Sequence, residues 1–271
     1  MGEKKILFIT TEISPYLTET EMSVIARQLP QGIHERGKEI RTFMPKFGLI
    51  NERRNQLHEV IRLSGMNLIV DDTDHPLIIK VASIQAARMQ IYFIDNEDFF
   101  QRKYILHDAD GGEFPDNDER SIFYVRGVME TVKKLRWAPD LIHCHGWMTA
   151  LAPLYIKKHY KSDPCFKNAK IVYSIYNDDF QQPFKEHFAR KVKIEGVTHS
   201  DLKPIEKKAD FESLSKLAVD FSDGVIQGSA NIHPNVKEYI QKEKTVPFLE
   251  YQSEETYIGA FNEFYDQILN K

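Results

Sequence analysis

The 271-residue chain carries 36 basic and 40 acidic side chains, a formal net charge of -4 that argues against nucleic acid as its main partner. Its 42% hydrophobic and 28% charged residues are typical of a globular protein, and no apolar stretch approaches the length of a membrane span. The two cysteines, Cys144 and Cys165, are too few for a disulfide framework, and the apolar run after Met1 is too short for a signal peptide, so we expect a cytoplasmic location.

The predicted strands recur along the chain as short apolar runs. They are residues 6–10, 39–44, 77–84, 90–95, 141–144, 171–176 and 224–227. Most of these runs are continuously apolar rather than alternating, which indicates strands covered on both faces. The two runs on either side of Ala86 and Ala87 are predicted to form a hairpin, because the loop between them is short.

Helix-period segments lie between several of these strands. Residues 22–36, 118–135 and 254–269 each place their apolar side chains on one stripe. The charged segment 184–208 lacks a clear period, and we expect a surface excursion that carries one short helix. Alternating strands and helices predict an α/β fold with a single Rossmann-like, doubly wound, mainly parallel sheet, in which ligands bind at the carboxyl ends of the strands.

Three stretches carry a resemblance to a known family: DADGGEFPDNDERSIFYVRGVME (108–130), APDLIHCHGWMTALAPLYIK (138–157) and KKILFITTEISPY (4–16). Together they resemble the amino-terminal domain of bacterial glycogen synthases and plant starch synthases, with a looser match from about residue 4 to 230. The resemblance implies a retaining glucosyltransferase with two Rossmann domains, which uses ADP-glucose to extend an α-1,4-glucan. In that family the amino-terminal domain mostly holds the acceptor glucan, and the carboxyl-terminal domain holds most of the nucleotide-sugar.

The length of the chain departs from that family, which needs a second Rossmann domain after about residue 230. The resemblance therefore implies the acceptor-side half of the enzyme, lacking the carboxyl-terminal domain. We expect an amino-terminal Rossmann domain at residues 1–230, and a carboxyl-terminal helical extension at residues 231–271 that packs back on it.

The turn after the first strand departs from the family as well. The family places K-T-G-G-L there, and its lysine and glycine amides hold the donor diphosphate; here the lysine, the two glycines and the leucine become Thr18, Thr20, Glu21 and Met22. A carboxylate about 4 Å from a phosphate oxygen costs on the order of several kcal/mol, so we expect a degenerate donor site. Thr18 and Glu21 have the spacing of a capping box, which predicts that they cap the following helix; a new cation or partner site is the alternative.

Two further family motifs are altered. H-x-H-D-W appears at 143–147 with Gly146 in place of the aspartate, and H-N-L-A-Y-Q-G appears with Tyr176 in place of the histidine that contacts the transferred glucose, while Asn177 matches. The tyrosine is expected to project farther than an imidazole and to fill its space. Two histidines without a third ligand are a weak metal signal, so we predict neither a metal nor a cofactor.

The altered positions Thr18, Gly146 and Tyr176 are the candidate catalytic positions, and they leave no catalytic residue assigned. The candidate ligand-binding residues come from the remaining motif positions: His143, His145, Trp147, Asn177, Asp110, Gly111, Gly112, Glu113 and Asn117. The acidic loop at 108–117 lacks the spacing of an EF-hand, and Asp116 and Glu119 are predicted to form a second capping box.

Three functions fit these observations. The first is a storage-glucan protein with a degenerate donor site, which binds glucan or another protein without transferring glucose. The second is a glucosyltransferase completed by a separate carboxyl-terminal chain or by dimerisation, and the third is a non-enzymatic scaffold. The predicted partner is an α-glucan or maltooligosaccharide, or else a protein or second copy of the chain at a rim on the former interdomain face: Tyr16, Leu17, Trp147, Tyr176 and Phe180.

Overall fold

The computed structural model describes residues 2–185, 187–242 and 246–270, and its mainly parallel sheet with helices on both faces confirms the predicted α/β class. The strands are β1 (Lys5–Ile9), β2 (Glu39–Pro45), β3 (His58–Glu59), β4 (Met66–Val70), β5 (Thr73–Ile84), β6 (Met89–Asp95), β7 (Leu141–His145), β8 (Lys170–Ile175), β9 (Gly224–Gln227) and β10 (Phe248–Leu249). The helices are α1 (Glu21–Glu35), α2 (Glu97–Phe100), α3 (Asn117–Leu135), α4 (Leu151–Lys158), α5 (Phe188–Val192), α6 (His199–Glu206), α7 (Phe211–Asp220), α8 (Pro234–Lys242) and α9 (Tyr257–Leu269). Among the described residues, no helix combines the length and the hydropathy that a membrane span requires.

The strand order places β1 in the middle of the sheet. The order is β10-β9-β8-β7-β1-β2-β6-β5-β3, and β4 pairs with β5 outside that path. Every pair from β10 to β6 is parallel, whereas β5 runs antiparallel to β3, β4 and β6. A 3-10 turn at Gln85–Ala87 joins β5 to β6, which confirms the predicted hairpin.

The side chains of β1 explain why its sequence is continuously apolar. Leu7 and Ile9 belong to a hydrophobic core on one face of the sheet, while Ile6 and Phe8 belong to a core on the other face. Successive side chains of a strand point to opposite faces, so a strand covered on both sides buries all of them. The parallel ladder also brings the carboxyl ends of β1, β7, β8 and β9 to one edge, which we call the carboxyl edge.

Helix α9 packs beside α1 on one face of the sheet. Its buried face is largely aromatic and joins the core that contains Ile6: Tyr257, Phe261, Phe264, Tyr265 and Ile268. Tyr257 donates its hydroxyl hydrogen to the Gln28 side chain of α1, and the buried Lys38 ammonium pairs with Asp266 of α9 at 3.0 Å. The division of the chain at residue 230 stays a prediction.

The segment 184–208 differs from its prediction as a surface excursion with one short helix. It contains two helices, α5 and α6, and their Phe188, Val192 and Ile205 are buried in the larger core. The helices have only five and eight residues, which is too short for a hydrophobic period to stand out among the charged residues.

Candidate functional site

The carboxyl edge brings the sequence motifs together. The first motif lies between β1 and α1, the second ends β7 and continues into a 3-10 turn at Trp147–Thr149, and the third follows β8. Because β7 pairs with both β1 and β8, these loops are neighbours. The loop at 108–117 joins them through Glu113, whose carboxylate accepts hydrogen bonds from the amides of Gln181 and Gln182 at 2.7 and 3.1 Å.

The amino terminus of α1 is capped by Thr20. Its backbone is extended, its Oγ1 accepts a hydrogen bond from the Ser23 amide at 3.1 Å, and the Ser23 hydroxyl accepts one from the Thr20 amide at 2.8 Å. The predicted capping box of Thr18 and Glu21 is therefore wrong. Glu21 is the first residue of α1, so the N-cap position belongs to Thr20, and Thr18 contributes only its carbonyl, which accepts a hydrogen bond from Ser23 Oγ.

Thr20→Ala is expected to lower the free energy of unfolding by about 0.5–2 kcal/mol, because it removes the acceptor of the Ser23 amide. Thr18→Ala is the matched control: the Thr18 side chain makes no hydrogen bond within the described parts of the chain, and its loss is expected to cost less than about 0.5 kcal/mol. Urea unfolding of both variants measures the difference. Equal losses would contradict the assignment of the cap.

Glu21 ties α1 to the ends of two strands. Its carboxylate accepts a hydrogen bond from the Ser229 hydroxyl, and the Ser229 oxygen accepts one from the Asn177 amide at 3.0 Å. Ser229 follows β9 and Asn177 follows β8, so these two hydrogen bonds span the carboxyl edge. A carboxylate in the first turn also complements the positive end of the helix dipole. The amino terminus of α1 thus has an anion of its own.

His143 and His145 share one face of β7 and are fully buried. Their ring centroids are 3.8 Å apart, and the two nitrogens of His143 bond the hydroxyls of Tyr265 and Ser174 at 2.6 and 2.7 Å. Burial lowers the pKa of both imidazoles, that of His145 to about 3, so both rings are neutral near pH 7. Within the described residues, no group of three or more His, Cys, Asp or Glu side chains could hold a metal ion.

Tyr176 fills the space beside these histidines. Its hydroxyl bonds Nδ1 of His145 at 2.8 Å, and the residue is only 2% exposed. The ring lies against Gly228, where an added Cβ would come within 2.8 Å of two ring carbons. The phenol therefore occupies the room between β7 and the turn after β9, and the Nε2 atom of His145 is buried without a hydrogen-bond partner among the described residues.

Gly146 has a backbone conformation that is almost restricted to glycine, with φ 73° and ψ 174°. An added Cβ would lie 2.4 Å from Oδ2 of Asp178 and 2.5 Å from the terminal methyl group of Met22. The same Asp178 oxygen accepts a hydrogen bond from the Trp147 amide at 3.1 Å. A carboxylate from the loop after β8 thus fills the space where a side chain of residue 146 would begin.

Asp178 was not predicted as a site residue. Its only signal in the sequence is a pair of acidic residues shortly after a buried strand. Burial raises its pKa to about 7, and the nearby carboxylates of Glu12 and Asp179 add to the effect. Oδ1 of Asp178 is buried without a hydrogen-bond partner among the residues that the structure describes. Burial also raises the pKa of Glu12, so the site holds two carboxyl groups that resist ionisation.

The loop at 108–117 presents an exposed turn. Oδ1 of Asp108 accepts hydrogen bonds from the amides of Asp110 and Gly112 at 2.9 and 2.8 Å, and Gly111 has φ 84°. Asp110, Gly111 and Gly112 are exposed. Among the candidate ligand-binding residues, these three and Asn177 are exposed and therefore the ones most open to a ligand.

The residues at the end of this loop contact the protein interior. The Asn117 side chain is buried; its amide donates to the Leu106 carbonyl at 2.9 Å, and its Oδ1 accepts from the Arg120 guanidinium at 2.7 Å. The predicted capping box of Asp116 and Glu119 is wrong: Asp116 is the N-cap residue, but its carboxylate makes no cap hydrogen bond. It pairs instead with the Arg102 guanidinium, a charge-assisted partner that outweighs a backbone amide.

The predicted rim of exposed apolar side chains is wrong, since all of its members are buried. Trp147 is 3% exposed and packs against Phe180 and Phe184, and those two phenyl rings stack with centroids 4.5 Å apart. Tyr16 and Leu17 are each 8% exposed. The segment after β8 folds over Trp147, which no local sequence pattern indicates, so these aromatic side chains are not open to a ligand.

Comparison with known proteins relates the chain to one enzyme family. The family described as "Starch synthase catalytic domain" matches residues 5–250. The glycogen synthase of Chlorobium limicola is 37% identical over 174 residues, which cover 64% of this chain, and that of Chlorobaculum parvum is 36% identical over 188 residues, which cover 69%. These matches span only 36% and 38% of the two relatives, so the chain corresponds to little more than a third of their length.

A solved structure has the same fold. The catalytic domain of Starch Synthase IV from Arabidopsis thaliana, bound to ADP and acarbose, aligns with a TM-score of 0.71 at 15% identity. The alignment covers 92% of this chain and 52% of the plant protein. At this identity the likeness establishes the architecture only.

Proposed function

The chain belongs to the family of starch synthase catalytic domains, and from that premise we propose that it binds α-glucan but does not by itself transfer glucose from ADP-glucose. The observation that carries the proposal is the bridge from Glu21 through Ser229 to Asn177, because it places a carboxylate where a donor diphosphate would need cations and amides. Tyr176 adds to it by filling the space at the neighbouring strand end.

The cavity next to this bridge favours a neutral ligand over an anion. It has a volume of about 390 Å³, and its lining includes Glu19, Glu21 and Glu254 together with Tyr251 and Tyr257, but no lysine or arginine among the described residues. Carboxylates repel a diphosphate and accept hydrogen bonds from sugar hydroxyls. Tyrosine rings suit the apolar faces of a pyranose.

The loop at 108–117 supports the acceptor part of the proposal. Its turn at Asp110–Gly112 is exposed, and Glu113 holds it against the segment after β8 through two backbone amides. Because the loop is already fixed, a glucan that binds to its polar groups does not have to order it, so less conformational entropy is lost on binding.

Two other functions have less support. A transferase completed by a second chain would still contain Tyr176 and Gly146, because these positions belong to this part of the enzyme. A scaffold that docks a partner through aromatic side chains would need the predicted rim to be exposed, and those side chains are buried.

Calorimetric titration with ADP-glucose and with maltoheptaose tests the proposal. We expect millimolar binding of maltoheptaose and no saturable heat with ADP-glucose. Glu113→Ala is expected to weaken maltoheptaose binding severalfold because it frees the loop, whereas Glu97→Ala, at an exposed glutamate of α2, is expected to leave it unchanged. Micromolar binding of ADP-glucose would contradict the donor part, and no response to maltoheptaose would contradict the acceptor part.

A further inference from the structure

A second cavity, of about 300 Å³, is lined by none of the motif residues at the carboxyl edge. It lies between α3, α4, the turn that joins β4 to β5, and the segment 190–194. Its lining contains four cationic and two acidic side chains, in a chain whose formal net charge is -4: Arg126, Arg190, Lys191, Lys193, Asp71 and Asp72. Cations of such a recess that are not already paired with carboxylates favour an anionic ligand.

Two of the four cations already have carboxylate partners. The Lys191 ammonium lies 2.8 Å from Asp118 and 2.6 Å from Glu119, so its charge is offset by the first turn of α3. The Arg190 guanidinium pairs with Asp71 at 3.2 Å, but the Arg190 side chain is 63% exposed. An exposed pair of this kind contributes little, so Arg190 can exchange Asp71 for a ligand at small cost.

The other two cations have no ion-pair partner in residues 2–185, 187–242 and 246–270. Arg126 donates from Nη1 to the Ile69 carbonyl, which fixes the orientation of the guanidinium. Within the part of the chain that the structure describes, its Nε is buried without a partner and no carboxylate neutralises its charge. Lys193 is exposed at the rim of the cavity. Asp72 also lines the cavity and has no ion-pair partner among the described residues, so its carboxylate opposes these two charges and Arg190.

We propose that this cavity is an anion site that binds a phosphate group, either as free phosphate or as a phosphomonoester. Guanidinium groups bind phosphate oxygens with paired donors, and an ammonium group adds a mobile point charge. Arg126 supplies the fixed charge at the wall, and Arg190 and Lys193 supply adjustable charges at the mouth. The site does not depend on the glucan-binding function proposed above, because it shares no lining residue with the carboxyl edge.

Calorimetric titration with inorganic phosphate, in low salt at constant ionic strength, tests the site. We expect saturable binding of phosphate. Added sulfate is expected to reduce this binding, whereas chloride at the same ionic strength is not. Lys193→Gln removes one exposed charge without touching the core and is expected to weaken binding about fivefold or more. Lys208→Gln is the matched control, because Lys208 is 67% exposed and pairs with Asp210 outside this cavity, and we expect it to bind phosphate like the unaltered protein.

Arg126→Gln tests the fixed charge and is expected to abolish measurable binding; circular dichroism and the melting temperature establish whether this variant folds. If it does not fold, Lys193→Gln decides the question alone. Glycerol 3-phosphate separates the two sources: tighter binding than inorganic phosphate assigns the site to a phosphomonoester, and equal or weaker binding assigns it to the free ion. Absence of saturable phosphate binding, or equal loss in Lys193→Gln and Lys208→Gln, would overturn the proposal.

Discussion

Gly146→Ala is expected to lower the free energy of unfolding by about 2–4 kcal/mol. Two costs combine. The backbone at φ 73° and ψ 174° disfavours any side chain, and the new Cβ would meet Oδ2 of Asp178 at 2.4 Å and the Met22 methyl group at 2.5 Å. The methyl group of Met22 can turn away, whereas the Asp178 carboxylate is held by the Trp147 amide. Urea unfolding measures the loss.

Gly111→Ala separates these two costs. Gly111 also has positive φ, 84°, but an added Cβ would have no heavy atom within 4 Å, so only the backbone cost of about 1 kcal/mol remains. Placing Gly146→Ala in an Asp178→Ala background should recover part of the difference, because the contact with Oδ2 is then absent. Equal losses at Gly146 and Gly111 would show that Asp178 does not occupy the space beside residue 146.

The long buried strands of this fold could be predicted from the sequence, whereas its short and fully buried elements could not. The seven predicted strands correspond to β1, β2, β5, β6, β7, β8 and β9. β3 and β10 have two residues each, and β4 joins only β5, so none of them carries a run long enough to recognise. In α4 every residue of the stretch 151–156 is buried, so the helix lacks the polar face on which a period depends.

The altered motifs of the candidate site could be recognised in the sequence, but the contacts that the altered residues make could not be predicted from it. Gly146 and Asp178 are 32 positions apart, and only the pairing of β7 with β8 brings them together. The cap at Thr20 depends on where α1 begins, and a shift of two residues moves it away from Thr18. Contacts between separate loops, which set the exposure of Trp147, leave no periodic trace in the chain.

The bridge from Glu21 and the ring of Tyr176 act together on the same edge. The first supplies an internal anion to the helix end, and the second removes the space next to His145. A change that removes only the bridge would leave the Tyr176 ring in place, and a change that removes only the ring would leave the bridge. Ser229 and Gly228 are adjacent in the chain, but Ser229 is part of the bridge and Gly228 lies against the ring of Tyr176. We therefore expect that a variant designed to bind a diphosphate at this edge would need changes at both Glu21 and Tyr176.

Asp178→Asn is expected to stabilise the protein at both pH values, and by on the order of 2–3 kcal/mol more at pH 8 than at pH 5. The pKa of Asp178 is about 7 in the folded protein, well above its ordinary value near 3.8, because the carboxyl group is buried. Between these two values the folded state binds more protons than the unfolded state, so the free energy of unfolding falls as the pH rises. Asparagine stays neutral throughout and keeps an oxygen for the Trp147 amide.

Other groups titrate in the same pH range as Asp178. The difference in unfolding free energy between Asp178→Asn and the unaltered protein therefore isolates the contribution of Asp178. Glu12 and Asp179 face Asp178, and the burial that raises the pKa of Glu12 acts in the same direction. His143 and His145 act in the opposite direction: their pKa values are lowered by burial, so stability is lost as the pH falls below about 6.5. Urea unfolding from pH 5 to 8 is the measurement. A flat difference between Asp178→Asn and the unaltered protein over that range would mean that the Asp178 carboxyl group ionises freely in the folded protein.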